Sequence, residues 1–193
     1  MVLNNFLDRF IFTSQLRFKD FNFFLMDIPF VIVPVDVLLG LGAMDKPEIN
    51  KAIYYGFKHS ALVNLMPKFK VEGNKQKFLD LAQNFFAASG WGVCKNLELD
   101  ETNKRALVTL SFSPLARSLQ GKVKHPSDHY FRGVLAAVFC EYFGDNVEVV
   151  ESNCRAISQT DCTFIIKPLH EFDFSKEETQ RQLSMDQIPN VMY

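Results

Sequence analysis

Three side chains in the last third of the chain belong to residue types that bind metal ions. Glu151 and Cys154 are three residues apart in Glu-Ser-Asn-Cys, and Cys162 follows in Asp-Cys-Thr-Phe. Zn²⁺ takes thiolate and carboxylate ligands in proteins, and a closed structural site needs four of them. Glu151, Cys154 and Cys162 are therefore candidate zinc ligands, and a fourth ligand must come from elsewhere in the chain.

The spacing of these residues sets a geometric condition on a shared metal. Side chains three apart on an unbroken strand point to opposite faces, so Glu151 and Cys154 can share an ion only if the chain bends near Ser152-Asn153. Without a metal, Cys154 and Cys162 would be two buried thiols that close a hairpin, with Glu151 hydrogen-bonded to the loop backbone. A redox pair formed by Cys154 and Cys162 is a third interpretation.

The elements around these residues can be predicted from their periodicity. Apolar residues recur at helical spacing from Phe131 to Tyr142, and Gly144 follows where a helix can end in the left-handed conformation. The chain then alternates between two faces over 147–152 and again over 162–167, which is the period of a strand. The pattern predicts a buried helix over 128–143, followed by two strands joined by the loop 155–161.

The stretch from Asp128 to Lys167 resembles the 4-vinyl-reductase-like domain family. The resemblance depends on Arg132-Gly133, on Phe143-Gly144, on Glu151-x-x-Cys154 and on Asp161-Cys162-Thr163-Phe164, and it extends loosely back to about residue 46. It implies an intracellular α+β fold related to a vesicle-tethering (TRAPP) subunit, usually a homodimer. It also implies a small-molecule-binding role and, in some members, a structural zinc.

One position departs from the pattern of the family that the chain resembles. In that pattern a Cys lies just before the aromatic residue that starts the main helix, and here Asp128 holds this position, followed by His129. Asp128 could supply an oxygen ligand and His129 a nitrogen ligand. A hard carboxylate binds zinc less tightly than a thiolate does, so the resemblance implies a weakened or lost site.

The whole chain is predicted to form an α+β fold in which helices cover a four-stranded antiparallel sheet. A sheet face this apolar must be buried, and the helices over 46–66, 74–88 and 128–143 would cover it. Two more strands are expected at 91–100, with Val93, Lys95, Leu97 and Leu99 on one face, and at 105–113. A short helix or strand, of which we favour the helix, is expected at 3–12, a small hairpin within 16–28 and a short helix over 37–44. Asn74 can cap the helix over 74–88. The expected parts are an N-terminal extension over 1–45, the 4-vinyl-reductase-like domain over 46–168, and a polar tail over 169–193, either mobile or carrying a helix over 176–183 that begins with a capping box at Ser175.

Composition excludes several classes of protein. The 193 residues are 48% hydrophobic, which argues against global disorder, and the net charge of -1 gives no long-range attraction to nucleic acid or to an acidic membrane. Asp27 and Asp36 interrupt the most apolar region, Phe23 to Met44, so no transmembrane segment is expected. No signal peptide is evident, and we expect a cytoplasmic protein whose four cysteines are thiols or ligands.

The 20 phenylalanines indicate either a thick aromatic core or an apolar pocket. Members of the family that the chain resembles hold an aromatic or hydrocarbon ligand between the sheet and the main helices. The resemblance therefore implies a ligand-binding cavity here, because such sites are mostly apolar with a few polar anchors. The candidate lining residues are Phe85, Trp91, Phe112, Tyr130 and Phe131.

The sequence leaves three functions open. We expect a non-enzymatic, homodimeric regulatory domain that binds a small apolar, aromatic or lipid-like molecule. The second candidate is an enzyme or accessory protein of tetrapyrrole vinyl-group reduction, and the third is a homodimeric protein-interaction scaffold. Gly40-Leu41-Gly42 lacks the third glycine of a dinucleotide site, and we find no signature of a Ser-His-Asp or Cys-His catalytic set.

Overall fold

A computed structural model describes residues 13, 15–25, 27–69 and 73–185 of the chain. The helix predicted over 3–12 lies outside the described residues. The fold is α+β, as predicted, with one four-stranded antiparallel sheet and a second, three-stranded sheet near the N-terminus.

The four-stranded sheet forms the centre of the fold. Its strands lie in the spatial order β4 (Val93–Asp100), β5 (Arg105–Ser111), β7 (Cys162–Lys167) and β6 (Glu148–Asn153), and every neighbouring pair is antiparallel. Cys162, Phe164 and Ile166 are buried while the residues between them are half-buried, so the alternation predicted for this strand is confirmed.

The edge strand β4 differs from the sequence prediction. We predicted that Val93, Lys95, Leu97 and Leu99 share one face, but the register shifts between Cys94 and Asn96, and the alternation is broken there. Val93 and Leu99 are exposed, which is compatible with their position at the edge of the sheet.

The helical layer is built around one buried helix. The helices are α1 (Val35–Gly42), α2 (Pro47–Ser60), α3 (Lys75–Ala88), α4 (Pro114–Ser118), α5 (His129–Phe143) and α6 (Glu177–Gln182). Helix α2 continues through a π-helical turn, Ala61–Leu65, into a short 3₁₀ turn, Met66–Lys68. Helix α5 is buried on nearly every side and ends at Gly144 in the left-handed conformation, with φ of 64°. Asn74 caps α3 by accepting a hydrogen bond from the backbone N–H of Lys77, as predicted.

The N-terminal extension is larger than the predicted hairpin. Strands β1 (Leu16–Lys19), β2 (Asn22–Leu25) and β3 (Ile28–Phe30) pair antiparallel in that order, so a third strand follows the hairpin. Leu25 reaches the core, while Phe18 and Phe21 are exposed. Among the described residues, we find no helix with the length and apolar character needed to cross a membrane.

The described end of the C-terminal tail is docked against the domain. Helix α6 forms within the predicted range, and Thr179, Gln182 and Leu183 are buried. The predicted capping box is wrong, because Lys176 precedes the helix without a side-chain cap and the Ser175 hydroxyl donates to Asp173 instead. A further 3₁₀ turn, Leu169–Glu171, links β7 to this segment.

Candidate functional site

A bulge in β6 brings the candidate metal ligands together. Glu151 pairs with Phe164 and Asn153 with Thr163, so Ser152 is an extra residue in the strand. The predicted bend near Ser152-Asn153 is therefore present, and Glu151 and Cys154 face the same side. One ligand atom from each of Glu151, Cys154 and Cys162 lies within 4.8 Å of the other two, and all three residues are buried. We call these three residues the Glu-Cys-Cys cluster.

Asp128 borders this cluster from the start of α5. Its Oδ2 accepts a hydrogen bond from the Cys162 Sγ at 3.3 Å, and its Oδ1 accepts one from the Ser113 hydroxyl at 2.8 Å. The backbone N–H of Asp128 donates to Glu151 Oε2 at 3.2 Å. Asp128 is fully buried, and its carboxylate lies against the cluster, where an oxygen ligand could come from.

Burial, mutual repulsion and hydrogen bonds shift the pKa values of these four groups. Burial, together with the charge of Cys154, raises the pKa of Asp128 to about 7. Burial and the neighbouring Asp128 raise the pKa of Glu151 well above its usual range. A hydrogen bond from Cys162 lowers the pKa of Cys154 to about 5, and the same bond raises the pKa of Cys162. Cys162 has one thiol proton, and both Asp128 and the Cys154 thiolate compete for it.

This arrangement fits a bound cation. The Glu151 Oε1 is buried without a hydrogen-bond partner, and within the described part of the chain neither Glu151 nor Asp128 forms an ion pair with a lysine or arginine. A buried unpaired carboxylate costs free energy that a metal ion would recover. Two thiolates and two carboxylate oxygens also form a four-ligand set of the types that Zn²⁺ takes.

His129 lies beside the Glu-Cys-Cys cluster without belonging to it. Both ring nitrogens are buried and unpartnered, and the ring is nearly parallel to that of His125, with 6.3 Å between the ring centroids. Burial, the charge of Arg132 and the adjacent His125 hold the pKa of His129 well below its usual range. The ring is therefore neutral at physiological pH.

An apolar cavity lies between the small N-terminal sheet and the helices. Its volume is about 540 Å³. We call it the N-terminal cavity. Trp91 and Tyr130 line it, as the predicted ligand-binding residues should, and the Tyr130 hydroxyl donates to the backbone oxygen of Leu38 at 3.3 Å. The other walls come from Leu16, Phe23, Leu25, Phe30, Val31, Ile32, Val33, Val35, Leu38, Phe57, Ala88, Ser89, Gly90, Pro114 and Leu115.

The remaining predicted lining residues lie elsewhere. Phe85 packs in the core against Phe30 and Phe69. Phe131 packs against Phe86 and Phe164 beside an apolar space of only about 20 Å³ between the sheet and α3 and α5. Such a space holds about one water molecule.

Phe112 is also outside the cavity. The strand β5 ends at Ser111, and the next residue adopts a φ of 63°, so its side chain is 69% exposed. The assignment of Phe112 to the cavity wall is therefore corrected, because a positive φ at the strand end breaks the alternation that would have turned the ring inward.

Sequence reasoning missed two polar residues beside the cluster, Arg132 and Gln182. Arg132 appeared only as part of a motif, and Gln182 only as a residue of a polar tail. Both are buried; Arg132 donates hydrogen bonds to Gln182, and the side chain of Gln182 hydrogen-bonds the backbone of Glu151. A buried arginine in an apolar helix is a signal for a hidden polar partner, because charged side chains are rarely buried unless they are paired.

Comparison with known proteins shows a shared fold and no established family. No protein-family model and no curated protein match the chain. The phenol-responsive sensory domain of the transcription activator PoxR, solved with phenol, is similar in structure with a TM-score of 0.71 and 13% identity, over 95% of this chain and 98% of that one. A vinyl-4-reductase family protein from Methanocaldococcus jannaschii aligns with a TM-score of 0.38 and 21% identity, over 72% of this chain and 96% of that one. The relation to vesicle-tethering subunits stays a prediction.

Proposed function

We propose that this chain is a cytoplasmic, non-enzymatic regulatory domain that binds a small apolar or aromatic molecule in the N-terminal cavity. The observation that carries the proposal is the cavity itself, with its volume of about 540 Å³ and largely apolar walls. Binding sites for small molecules are typically concave, apolar and provided with a few polar groups. The fold shared with a phenol-responsive sensory domain supports the same class of ligand.

The walls of the cavity suit a ligand of one or two rings. Trp91 and Phe57 provide aromatic surface, and the Tyr130 hydroxyl lies where it can accept a hydrogen bond from a ligand hydroxyl. Burial of apolar surface contributes about 25 cal/mol per Å², so enclosing ~150 Å² of ligand contributes about 4 kcal/mol before the cost of association. We expect affinities in the micromolar to millimolar range for single-ring ligands.

A thermal-shift screen tests the ligand-binding proposal. Phenols, alkylbenzenes and short fatty acids are added to the full chain, because a ligand that binds only the folded state raises the melting temperature. Ala88→Trp fills the cavity and should abolish every shift, whereas Ala52→Trp, on an exposed position of α2, should leave the shifts intact. Shifts that survive Ala88→Trp, or a screen without any shift, would overturn the proposal.

We also propose that the Glu-Cys-Cys cluster and Asp128 hold a structural zinc ion. When bound, the ion cross-links its ligands and stabilises the folded state. Here it would tie β6 and β7 to the start of α5. The support is the buried cluster of three ligands, the Asp128 Oδ2 at 3.3 Å from the Cys162 Sγ, and the unpartnered Glu151 Oε1. Elemental analysis should find about one zinc per chain, and Cys162→Ser should lose it. A metal-free purified chain that takes up no added zinc would contradict this proposal.

The exposed apolar surface of the N-terminal extension supports the proposal of a homodimer. Large hydrophobic side chains are exposed on β1, on the β1–β2 turn and on the segment that leads into α1, including Phe18, Phe21, Val31 and Ile32. Exposed apolar side chains that are close in the chain are candidates for an interaction site. Light scattering should give twice the chain mass, and Ile32→Glu with Phe21→Glu should reduce it to that of a monomer.

A further inference from the structure

The side-chain amide of Gln182 forms hydrogen bonds with both backbone polar groups of Glu151, a candidate metal ligand. Its Nε2 donates to the carbonyl oxygen of Glu151 at 3.0 Å, and its Oε1 accepts from the N–H of Glu151 at 2.9 Å. Strand β6 is an edge of the sheet, so these two backbone groups of Glu151 face away from β7. The amide of Gln182 thus replaces the partner that a fifth strand would have supplied.

Arg132 holds this amide in place from the neighbouring helix α5. Its Nη1 donates to Gln182 Oε1, and its Nη2 donates to the Gln182 carbonyl oxygen at 3.0 Å. The guanidinium carbon lies 4.3 Å from the ring centre of Tyr54, and Arg132 is 0% exposed. Because a planar guanidinium presents its donors in a fixed fork, these contacts fix both the position and the orientation of Gln182.

The rest of α6 is anchored to α2 and its surroundings. Leu183 is buried, the backbone N–H of Ser184 donates to the Tyr55 hydroxyl at 3.1 Å, and Arg181 forms an ion pair with Asp45. Helix α6 has only six residues and would not be stable alone. Its position therefore depends on these contacts, of which those of Gln182 are the most deeply buried.

We propose that Gln182 is a positioning residue for the metal site, and that binding of zinc and docking of α6 stabilise each other. The inference depends on the zinc site proposed above. The bulge at Ser152 leaves the backbone of Glu151 next to an irregular stretch of β6, and Gln182 fixes that backbone on its open side. Substitution of a residue that orients a metal ligand commonly weakens metal binding by about 10–100-fold.

The coupling must act in both directions. If docked α6 raises the affinity for zinc by some factor, bound zinc raises the equilibrium constant for docking of α6 by the same factor. The C-terminal segment therefore reports the state of the Glu-Cys-Cys cluster. Loss of the metal would release backbone amides of α6 and of residues 183–185 to solvent.

Zinc affinity and hydrogen exchange test the coupling without any activity assay. Gln182→Met keeps the volume of the side chain and removes its hydrogen bonds, and Gln180→Met is the matched control because Gln180 is exposed on the same helix. Competition with a chelator of known affinity should give about 10-fold weaker zinc binding for Gln182→Met and unchanged binding for Gln180→Met. In the unmodified chain, zinc should slow hydrogen exchange over 177–185, and Gln182→Met should remove this protection.

The outcomes distinguish the proposed coupling between zinc and α6 from the proposed zinc site itself. Equal zinc affinity in Gln182→Met and the unmodified chain, with both folded by circular dichroism, would overturn the coupling while leaving the metal site intact. Zinc binding without any change of exchange over 177–185 would do the same. An unmodified chain that binds no zinc would overturn the metal site and the coupling together.

Discussion

Gly133 of α5 lies directly against the backbone of Tyr54 in α2. A Cβ atom added at Gly133 would stand 2.5 Å from the Tyr54 carbonyl oxygen and 2.9 Å from the backbone nitrogen of Lys58. No side chain fits in this space, so the close crossing of these helices depends on the glycine. The same crossing places Arg132 over the Tyr54 ring and brings Lys58 to β6.

Gly133→Ala should therefore destabilise the protein in spite of the better helix propensity of alanine. Inserting a methyl group into a packed interior costs about 1–3 kcal/mol. Gly56→Ala is the control, because a Cβ there meets nothing within 4 Å and should stabilise α2 by up to ~1 kcal/mol. Urea unfolding measures both values, and a Gly133→Ala protein as stable as the unmodified chain would contradict the close crossing.

Lys58→Met should cost about 3–5 kcal/mol of unfolding free energy, because it leaves the carboxylate of Glu148 buried without its cation. The Lys58 Nζ lies 2.7 Å from Glu148 Oε1 and also donates to the backbone oxygen of Val147 at 2.8 Å. Adding Glu148→Gln removes the unpaired charge and still allows the Tyr54 hydroxyl to donate to residue 148. We expect the double variant to recover part of the lost free energy of unfolding, measured in urea. A double variant less stable than Lys58→Met would argue against this explanation.

Asp128→Cys should strengthen zinc binding by at least about tenfold, because a thiolate is a better zinc ligand than a carboxylate. Asp128→Ala should weaken it, since the fourth ligand is then missing. Chelator competition measures the order of affinities, which we expect to fall from Asp128→Cys through the unmodified chain to Asp128→Ala. Equal affinity in the unmodified chain and in Asp128→Ala would show that the carboxylate does not reach the metal.

In the chelator-treated protein, the buried His129 should make a contribution to stability that is lost on acidification. Its pKa is well below the usual range in the folded state, so below about pH 6.5 the unfolded chain takes up a proton that the folded chain does not. The contribution to stability is fully present above about pH 6.5 and is lost on acidification, by up to ~1.4 kcal/mol per pH unit. His129→Leu should remove this contribution, so that between about pH 5 and 7 stability falls less, or rises more, on acidification than in the unmodified chain.

The exposed His170 provides the control for this measurement. His170→Leu should retain the pH dependence of the unmodified chain over the same range, because it changes an exposed side chain and leaves the buried His129 ring in place. The same change of stability with pH in His129→Leu and His170→Leu would contradict the contribution assigned to the buried His129 ring.

The elements predicted well are those whose pattern is local. Helix α5 and the strands β6 and β7 follow from the periods of their apolar residues, and the Glu-Cys-Cys cluster follows from residue types that have few other uses in combination. The bend at Ser152 was required by the spacing of Glu151 and Cys154 and is present as a bulge. Local sequence was sufficient here because each of these predictions depended on residues close together in the chain.

The parts that were missed depend on distant partners. Gln182 looks like a residue of a solvated tail, and the buried partners of its amide, Arg132 and the backbone of Glu151, lie 50 and 31 positions earlier in the chain. Phe112 continues the apolar alternation of Ala106, Val108 and Leu110, but the strand ends one residue before it, and the positive φ turns its ring to solvent. The third N-terminal strand was missed because Pro29 suggests a break, although it is compatible with an edge strand.

The bulge at Ser152 also determines how the ligand pattern can vary in length. Because Ser152 is the extra residue, Glu151 and Cys154 are separated as two positions of a regular strand would be. Deleting Ser152 would therefore keep both side chains on one face, whereas inserting one more residue would turn them apart. Chains that carry Glu-x-Cys in a regular strand can present the same ligands as Glu-x-x-Cys with a bulge, so a comparison of related sequences should treat these two spacings as equivalent.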